Sequence, residues 1–116
     1  MGKIVSVYKD NLDRVWYNSS NIFYSECDDK DNELKTLRIT FKDGRTYEYK
    51  KVNVMDYLKF RELPSQGKAF NTLVKKYECE RIDSKDISSL QKELDDLLEQ
   101  AKEDNEEKKE EKNGSD

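Results

Sequence analysis

The chain predicts an α+β fold: an antiparallel meander sheet of three to four strands, two helices on one of its faces, and an amphipathic helix at the C-terminal end. Three observations predict it. Residues 34–41 (LKTLRITF) alternate between apolar and polar. After Lys42-Asp43-Gly44 a second run, 45–52 (RTYEYKKV), alternates again, the pattern of two half-buried strands joined by a tight turn. Two segments with apolar residues at helical spacing flank Pro64, and a third stripe runs from Ile87 to Ala101.

Taken in order, residues 3–8 (KIVSVY) read as a short strand, and Asp10-Asn11 as a turn. Val15-Trp16-Tyr17 is an apolar patch without periodic context, open to being core or an exposed aromatic pair; 18–21 (NSSN) interrupt it. Residues 22–27 (IFYSEC) form a strand and 28–33 (DDKDNE) a polar loop. The next hairpin has two possible registers. A two-residue Asp43-Gly44 turn pairs Thr40 with Tyr47 and Arg38 with Tyr49. A three-residue turn with Gly44 left-handed pairs Ile39 with Tyr47 and Leu37 with Tyr49. The second is favoured, because it gathers the large apolar groups on one face and leaves Thr40–Thr46, Arg38–Glu48 and Thr36–Lys50 facing solvent.

Asn53 is placed to cap a helix over 54–63, with Val54, Tyr57, Leu58 and Phe60 on its apolar side, and Pro64 ends it because the residue before proline disfavours helical geometry. Ser65 is placed to cap a second helix carrying Phe70, Leu73, Val74 and Tyr77. The third helix starts near Asp83–Asp86, with Ile87, Leu90, Leu94, Leu97 and Ala101 along one stripe. That stripe covers barely two heptads, so a helix folded onto its own domain and a homodimer or protein-partner contact both remain open. No apolar residue follows Ala101, so residues 102–116 are expected to be a disordered charged tail. The organisation is thus a domain over 1–82, an acidic amphipathic helix over 83–101, and the tail.

With 41% charged residues against 34% apolar, any core must be compact and lie toward the N-terminal side. Residues 1–82 carry a net charge of +3 and residues 83–116 a net charge of −7, so a mildly basic head and an acidic end hide behind the total of −4. No apolar run is long enough to span a bilayer or to form the apolar region of an export signal, which points to a cytoplasmic protein without membrane partners. In that setting Cys27 and Cys79, which form no Cys-x-x-Cys pair, are expected to be reduced thiols.

Catalytic chemistry has little to work with. Histidine is absent, which removes His-based triads and the usual zinc sites, and no phosphate loop of standard glycine spacing occurs. Asp28-Asp29 lies in a polar loop where solvated charge explains it. The expectation is a non-enzymatic protein with no metal and no cofactor.

Several pieces in order resemble the KTSC family, named for a domain at the C-terminus of some lysyl-tRNA synthetases and also found as small free-standing bacterial or phage proteins. They are Ser19-Ser20-Asn21-Ile22, then Leu37-x-Ile39-x-Phe41-x-x-Gly44, the central Tyr47-Glu48-Tyr49, Val52, Tyr57, and Pro64-Ser65-x-Gly67-Lys68-x-Phe70-Asn71, ending at Tyr77. The motif core is therefore 19–77, about half the chain. The resemblance implies a binding role in which RNA is the suspected partner.

The most suggestive site by residue chemistry is Ser65-Gln66-Gly67-Lys68, where free N–H groups at a helix start, a glycine and a lysine would hold an anion, with Asn71 and Lys75 further along the helix. A cap with a tightly packed glycine explains the same residues. Tyr47 and Tyr49, with Arg38 and Arg45 nearby, are candidates for stacking on bases or lining the site, although the favoured register assigns both rings to the core. Three functions follow: an RNA-binding module using phosphate contacts, an interaction or dimerising protein acting through 87–101, and a pocket for a nucleotide or other small phosphorylated ligand.

Overall fold

The computed structural model describes residues 2–28 and 34–114, and the side chains of the last helix as far as Lys102. The α+β class holds, but the sheet has six strands instead of three to four: β1 (Gly2–Lys9), β2 (Leu12–Asn18), β3 (Ile22–Asp28), β4 (Leu34–Phe41), β5 (Thr46–Asn53) and β6 (Cys79–Ile82). They lie side by side in chain order, every neighbouring pair antiparallel. Between β5 and β6 come α1 (Val54–Glu62) and α2 (Gln66–Ala69), which runs straight into a π-helical turn, Phe70–Val74. The chain then ends in α3 (Ile87–Gly114).

The extra strands have local causes. Asp10 and Asn11 both adopt positive φ (54° and 61°), and Lys9 pairs with Leu12, which makes a two-residue turn with the twist a hairpin requires. β2 shows no alternation in sequence because it is buried on both faces. Val15 and Tyr17 join the core beneath α1 and α2, whereas Trp16 joins a second core beneath α3. β6 is only four residues long and lies at the edge beyond β5.

Register follows the glycine-turn alternative. Ile39 pairs with Tyr47, Leu37 with Tyr49, Arg38 with Glu48 and Thr40 with Thr46, and Gly44 has φ 95°. A Cβ on Gly44 would stand 3.0 Å from the Lys85 carbonyl oxygen, so both conformation and space call for glycine there. The expected Thr36–Lys50 pair is replaced by a bulge. Lys35 pairs with Val52, so two residues on β5, one of them Lys51 at φ 56°, face the single Thr36. Strict alternation after Tyr47 and Tyr49 would have turned Lys51 inward; the bulge sends Val52 into the core in its place.

α1 is capped by the Asn53 side chain, which accepts the Met55 N–H at 2.8 Å, and it stops at an extended Leu63 before Pro64. Ser65 makes no side-chain cap to α2, contrary to expectation; only its carbonyl receives the Ala69 N–H, at 3.0 Å. In the π turn the Lys75 N–H reaches the Phe70 carbonyl at 2.9 Å, and the Phe70 ring meets Phe41 and Tyr49 edge-on.

The face expected to meet solvent is covered. Leu90 and Leu94 of α3 are buried against Trp16, Phe23 and Tyr24, with Ile87 and Leu97 half-buried beside them. The indole N–H of Trp16 donates to the Leu90 carbonyl at 3.1 Å, and Arg14 pairs with Glu93 at 2.5 Å. Thr40 and Thr46 are consequently buried, with their hydroxyls 3.0 Å apart. Of the two readings left open for the stripe, the structure shows the helix folded onto its own sheet. Asp86 caps this helix through the Ser88 N–H at 3.0 Å.

The helical backbone continues to Gly114, where the sequence placed a disordered tail from residue 102. The segment is rich in Glu and Lys, both good helix formers, and contains no proline. The side chains past Lys102, and residues 115–116, lie outside the described residues. Deleting 102–116 is expected to change the unfolding free energy by no more than about 0.5 kcal/mol, since among the described residues the last buried side chain is Leu94, Ala101 is already exposed, and no apolar residue follows it in the sequence. Urea denaturation of the truncated chain checks this. Among the described residues no helix is long and apolar enough to cross a membrane.

Candidate functional site

The structure scatters the site residues expected from sequence. Tyr49 is buried and Tyr47 half-buried, both on the face beneath α1 and α2, with Tyr47 edge-on to Phe41 at 5.9 Å. Burial also pushes the Tyr49 phenol well above its ordinary range. Both rings therefore pack with the core, Tyr49 inside it and Tyr47 at its edge with part of its surface exposed. Arg38 lies on the opposite face, between Glu48 at 3.0 Å and Glu26 at 3.5 Å.

The helix start at Ser65 is also altered. α2 is a single turn of four residues that passes directly into the π turn, and its start lacks the side-chain cap expected from Ser65. A Cβ on Gly67 would meet nothing within 4 Å, so neither tight packing nor close approach calls for glycine. Lys68, Asn71 and Lys75 are exposed along the outside of the helix and its π turn. Lys68 stands beside Lys59 at the rim of an apolar groove floored by Leu63, Pro64, Ala69 and Leu73.

A different grouping appears at the end of the sheet where β2 turns into β3 and β4 into β5. A cleft of about 300 Å³ is lined by Asn18, Ser19, Ser20, Lys42, Pro64, Ser65 and Gln66. It opens onto a depression of about 420 Å³ that shares Ser20 and Lys42 and adds Asn21, Asp43 and Arg45. Local bonds hold these walls. Ser19 Oγ accepts the N–H groups of Asn21 and Ile22, each at 3.4 Å, and the Lys42 N–H donates to the Asn21 carbonyl at 2.8 Å. The Asp43 carboxylate accepts the Arg45 N–H at 3.0 Å and its guanidinium at 2.6 Å, which holds that carboxyl below the usual range.

Gln66 forms the inner wall and is fully buried. Its amide N–H donates to the Leu63 carbonyl at 2.7 Å, but its Oε1 has no hydrogen-bond partner. An unpartnered buried acceptor is costly, and its remedy is a donor from water or ligand. The lining thus combines two cations, one carboxylate, three hydroxyls and an orphaned amide oxygen. Of the expected site residues, Ser65 lines the cleft and Arg45 the adjoining depression, brought there by the turns and not by the helix. Ser19, Ser20 and Lys42 were missed, and Gln66 was expected only as part of the helix start. The signal that could have found them was Ser19-Ser20, one of the pieces that carry the family resemblance, which lies far from Ser65 in the chain and lines the same cleft.

Among the described residues no group of three or more His, Cys, Asp or Glu side chains could hold a metal ion. Cys79 is exposed and Cys27 buried, and the two form no disulfide. Residues 18–77 match the family model described as the KTSC domain. No curated protein and no solved structure matches the chain. The matched span contains every residue that lines the cleft and its depression, and leaves out β1, most of β2, β6 and α3.

Proposed function

The chain belongs to the KTSC domain family, and we propose that it is a non-enzymatic module that binds RNA through phosphate contacts at the Ser19–Lys42–Ser65 cleft. The observation that carries this is the convergence, at one open end of the sheet, of Lys42 and Arg45 with the hydroxyls of Ser19, Ser20 and Ser65. Charge and hydroxyl donors together suit phosphate and sugar oxygens, which position a strand without reading its bases. Lys59 and Lys68 border the adjoining groove that also contains Ser65, so the cationic rim extends past the cleft.

The acidic C-terminal segment does not oppose this reading. The Lys85 N–H bonds the Gly44 carbonyl at 3.0 Å, and α3 then passes Trp16 and Arg14 in that order. The helix therefore starts near the cleft and carries its carboxylates toward the opposite end of the sheet. Its apolar stripe is occupied by Trp16, Phe23 and Tyr24, which weakens the case for a dimer seam.

Fluorescence anisotropy with a mixed-sequence single-stranded RNA, titrated over a salt series, tests the proposal. Lys42→Ala and Arg45→Ala should each weaken binding regardless of sequence and flatten the log–log salt slope by about one contact. Lys68→Ala should do less. Equal binding by the wild type and the Lys42→Ala/Arg45→Ala double variant at every salt concentration would remove the cleft from consideration. Saturation by AMP as tight as that by RNA would assign it to a nucleotide instead.

A further inference from the structure

Between the end of α1 and the segment formed by α2 and its π turn lies an open groove of about 270 Å³. α1 and the turn after it contribute Leu63 and Pro64, and the α2–π segment contributes Ala69 and Leu73. Leu63 remains 43% exposed. A lone exposed leucine is ordinary, but one set in a concave apolar surface marks a place of contact. Each wall also carries a cation, Lys59 from α1 and Lys68 from α2, and no carboxylate lines the groove. The two acids one turn from Lys59 are engaged elsewhere. Asp56 feels the Lys59 charge but is held by Lys76 at 3.0 Å and by the Tyr77 hydroxyl at 2.5 Å. Glu62 faces Lys3 at 3.0 Å and Arg61 at 3.4 Å. Among the described residues neither Lys59 nor Lys68 makes an ion pair.

An apolar floor between two unopposed cations fits an occupant that is apolar at its centre and anionic at its edges. We propose that this groove binds an acidic peptide segment of a partner protein. One large apolar side chain lies over Leu63, Ala69 and Leu73, and carboxylates on either side of it meet Lys59 and Lys68. Other polyanions fit less well. No aromatic side chain lines the groove, so it offers a nucleic acid nothing to stack on. An anionic membrane would repel a chain whose net charge is −4. A fatty acid brings one charge for two lysines. The chain's own acidic end does not serve, because α3 covers the opposite face of the sheet and no apolar residue follows Ala101. The groove shares Ser65 with the cleft proposed for RNA but neither of its cations, so the two readings stand separately.

Two-dimensional amide NMR of the full-length chain, titrated with acetyl-Glu-Asp-Phe-Asp-Glu-amide, tests it. The peptide should shift the amides of Leu63, Ala69 and Leu73 saturably while those of Lys42 and Arg45 stay in place. The same peptide with glycine for phenylalanine should not saturate. Lys59→Glu/Lys68→Glu changes two exposed side chains, so the fold should persist while affinity falls about tenfold. That variant should respond instead to the peptide with lysine in place of every acid. Lys42→Ala/Arg45→Ala should bind the acidic peptide as the wild type does, which separates this site from the RNA cleft. Absence of saturation, an equal response to the glycine peptide, or unchanged affinity in Lys59→Glu/Lys68→Glu would overturn the proposal. So would tighter binding of dodecanoate at the same amides, which would assign the groove to a fatty acid. Shifts of those amides on dilution of the protein alone would assign it to a second copy and overturn the proposal equally.

Discussion

Replacing Trp16 with alanine is expected to destabilise the protein by about 3–5 kcal/mol, a large part of the total for a domain of this size. The ring is fully buried, 4.8 Å from the Tyr24 ring centre, with the Arg14 guanidinium 4.8 Å above it. Its N–H ties the sheet to the Leu90 carbonyl. Alanine would open a hole beneath Leu90 and Leu94 and remove the hydrogen bond that fixes α3 along the sheet. The near-ultraviolet circular dichroism signal should collapse at lower urea than in the wild type. Trp16→Phe, which keeps most of the packing and loses only the donor, should fall between the two. A loss below about 1 kcal/mol for Trp16→Ala would mean that α3 does not belong to the cooperative unit.

Phe60→Ala should cost a similar amount, about 3–5 kcal/mol, on the other face. Phe60 is fully buried beneath α1 and meets the Tyr17 ring edge-on at 5.6 Å. Its neighbours on the same helix, Tyr57 and Arg61, reach down to Asp13, so loosening the seat of α1 should also disturb those contacts. Trp16→Ala should leave them nearly intact at temperatures where the variant remains folded. The two variants together report whether the two cores are independent. They belong to separate clusters on opposite faces of β2, so their costs should add to within about 0.5 kcal/mol. Chemical denaturation of both single variants and the double variant measures this.

Most of one face of the fold is readable in the sequence. The hairpin register follows from Gly44 and the placement of Tyr47 and Tyr49, and the extent of α1 follows from Asn53 and Pro64. What escaped has a common cause: residues buried on both sides, or charged residues buried at all, break the simple alternation. Val15-Trp16-Tyr17 looks unpatterned because each face of β2 is covered by different helices. Trp16, Phe23 and Tyr24 already imply that something must cover the second face, and Ile87 to Leu97 is the only remaining stripe long enough. β6 (CERI) is too short and too charged to announce itself, and the π turn at Phe70–Val74 has no sequence signature.

The candidate sites were harder to read. Asp13, Lys35 and Arg61 look like surface charges, yet the fold buries Asp13 and Lys35 and sets Arg61 against Asp13. The cleft needs three turns to meet, at Asn18–Asn21, Lys42–Arg45 and Pro64–Gln66. Each of these reads locally as ordinary turn chemistry.

Six strands laid down in chain order leave the sheet open, with β1 and β6 at its margins. An open margin is a row of backbone donors and acceptors on which a stray chain can assemble into aggregates. Both margins here are poor templates. β6 is four residues long and carries Glu80 and Arg81. β1 is interrupted by a register shift between Lys3 and Val5, and Lys3 is drawn to Glu62 at 3.0 Å. Short length, charge and a kinked backbone all oppose edge-to-edge growth, so the two margins of this sheet are guarded by its own backbone and charges and need no covering helix.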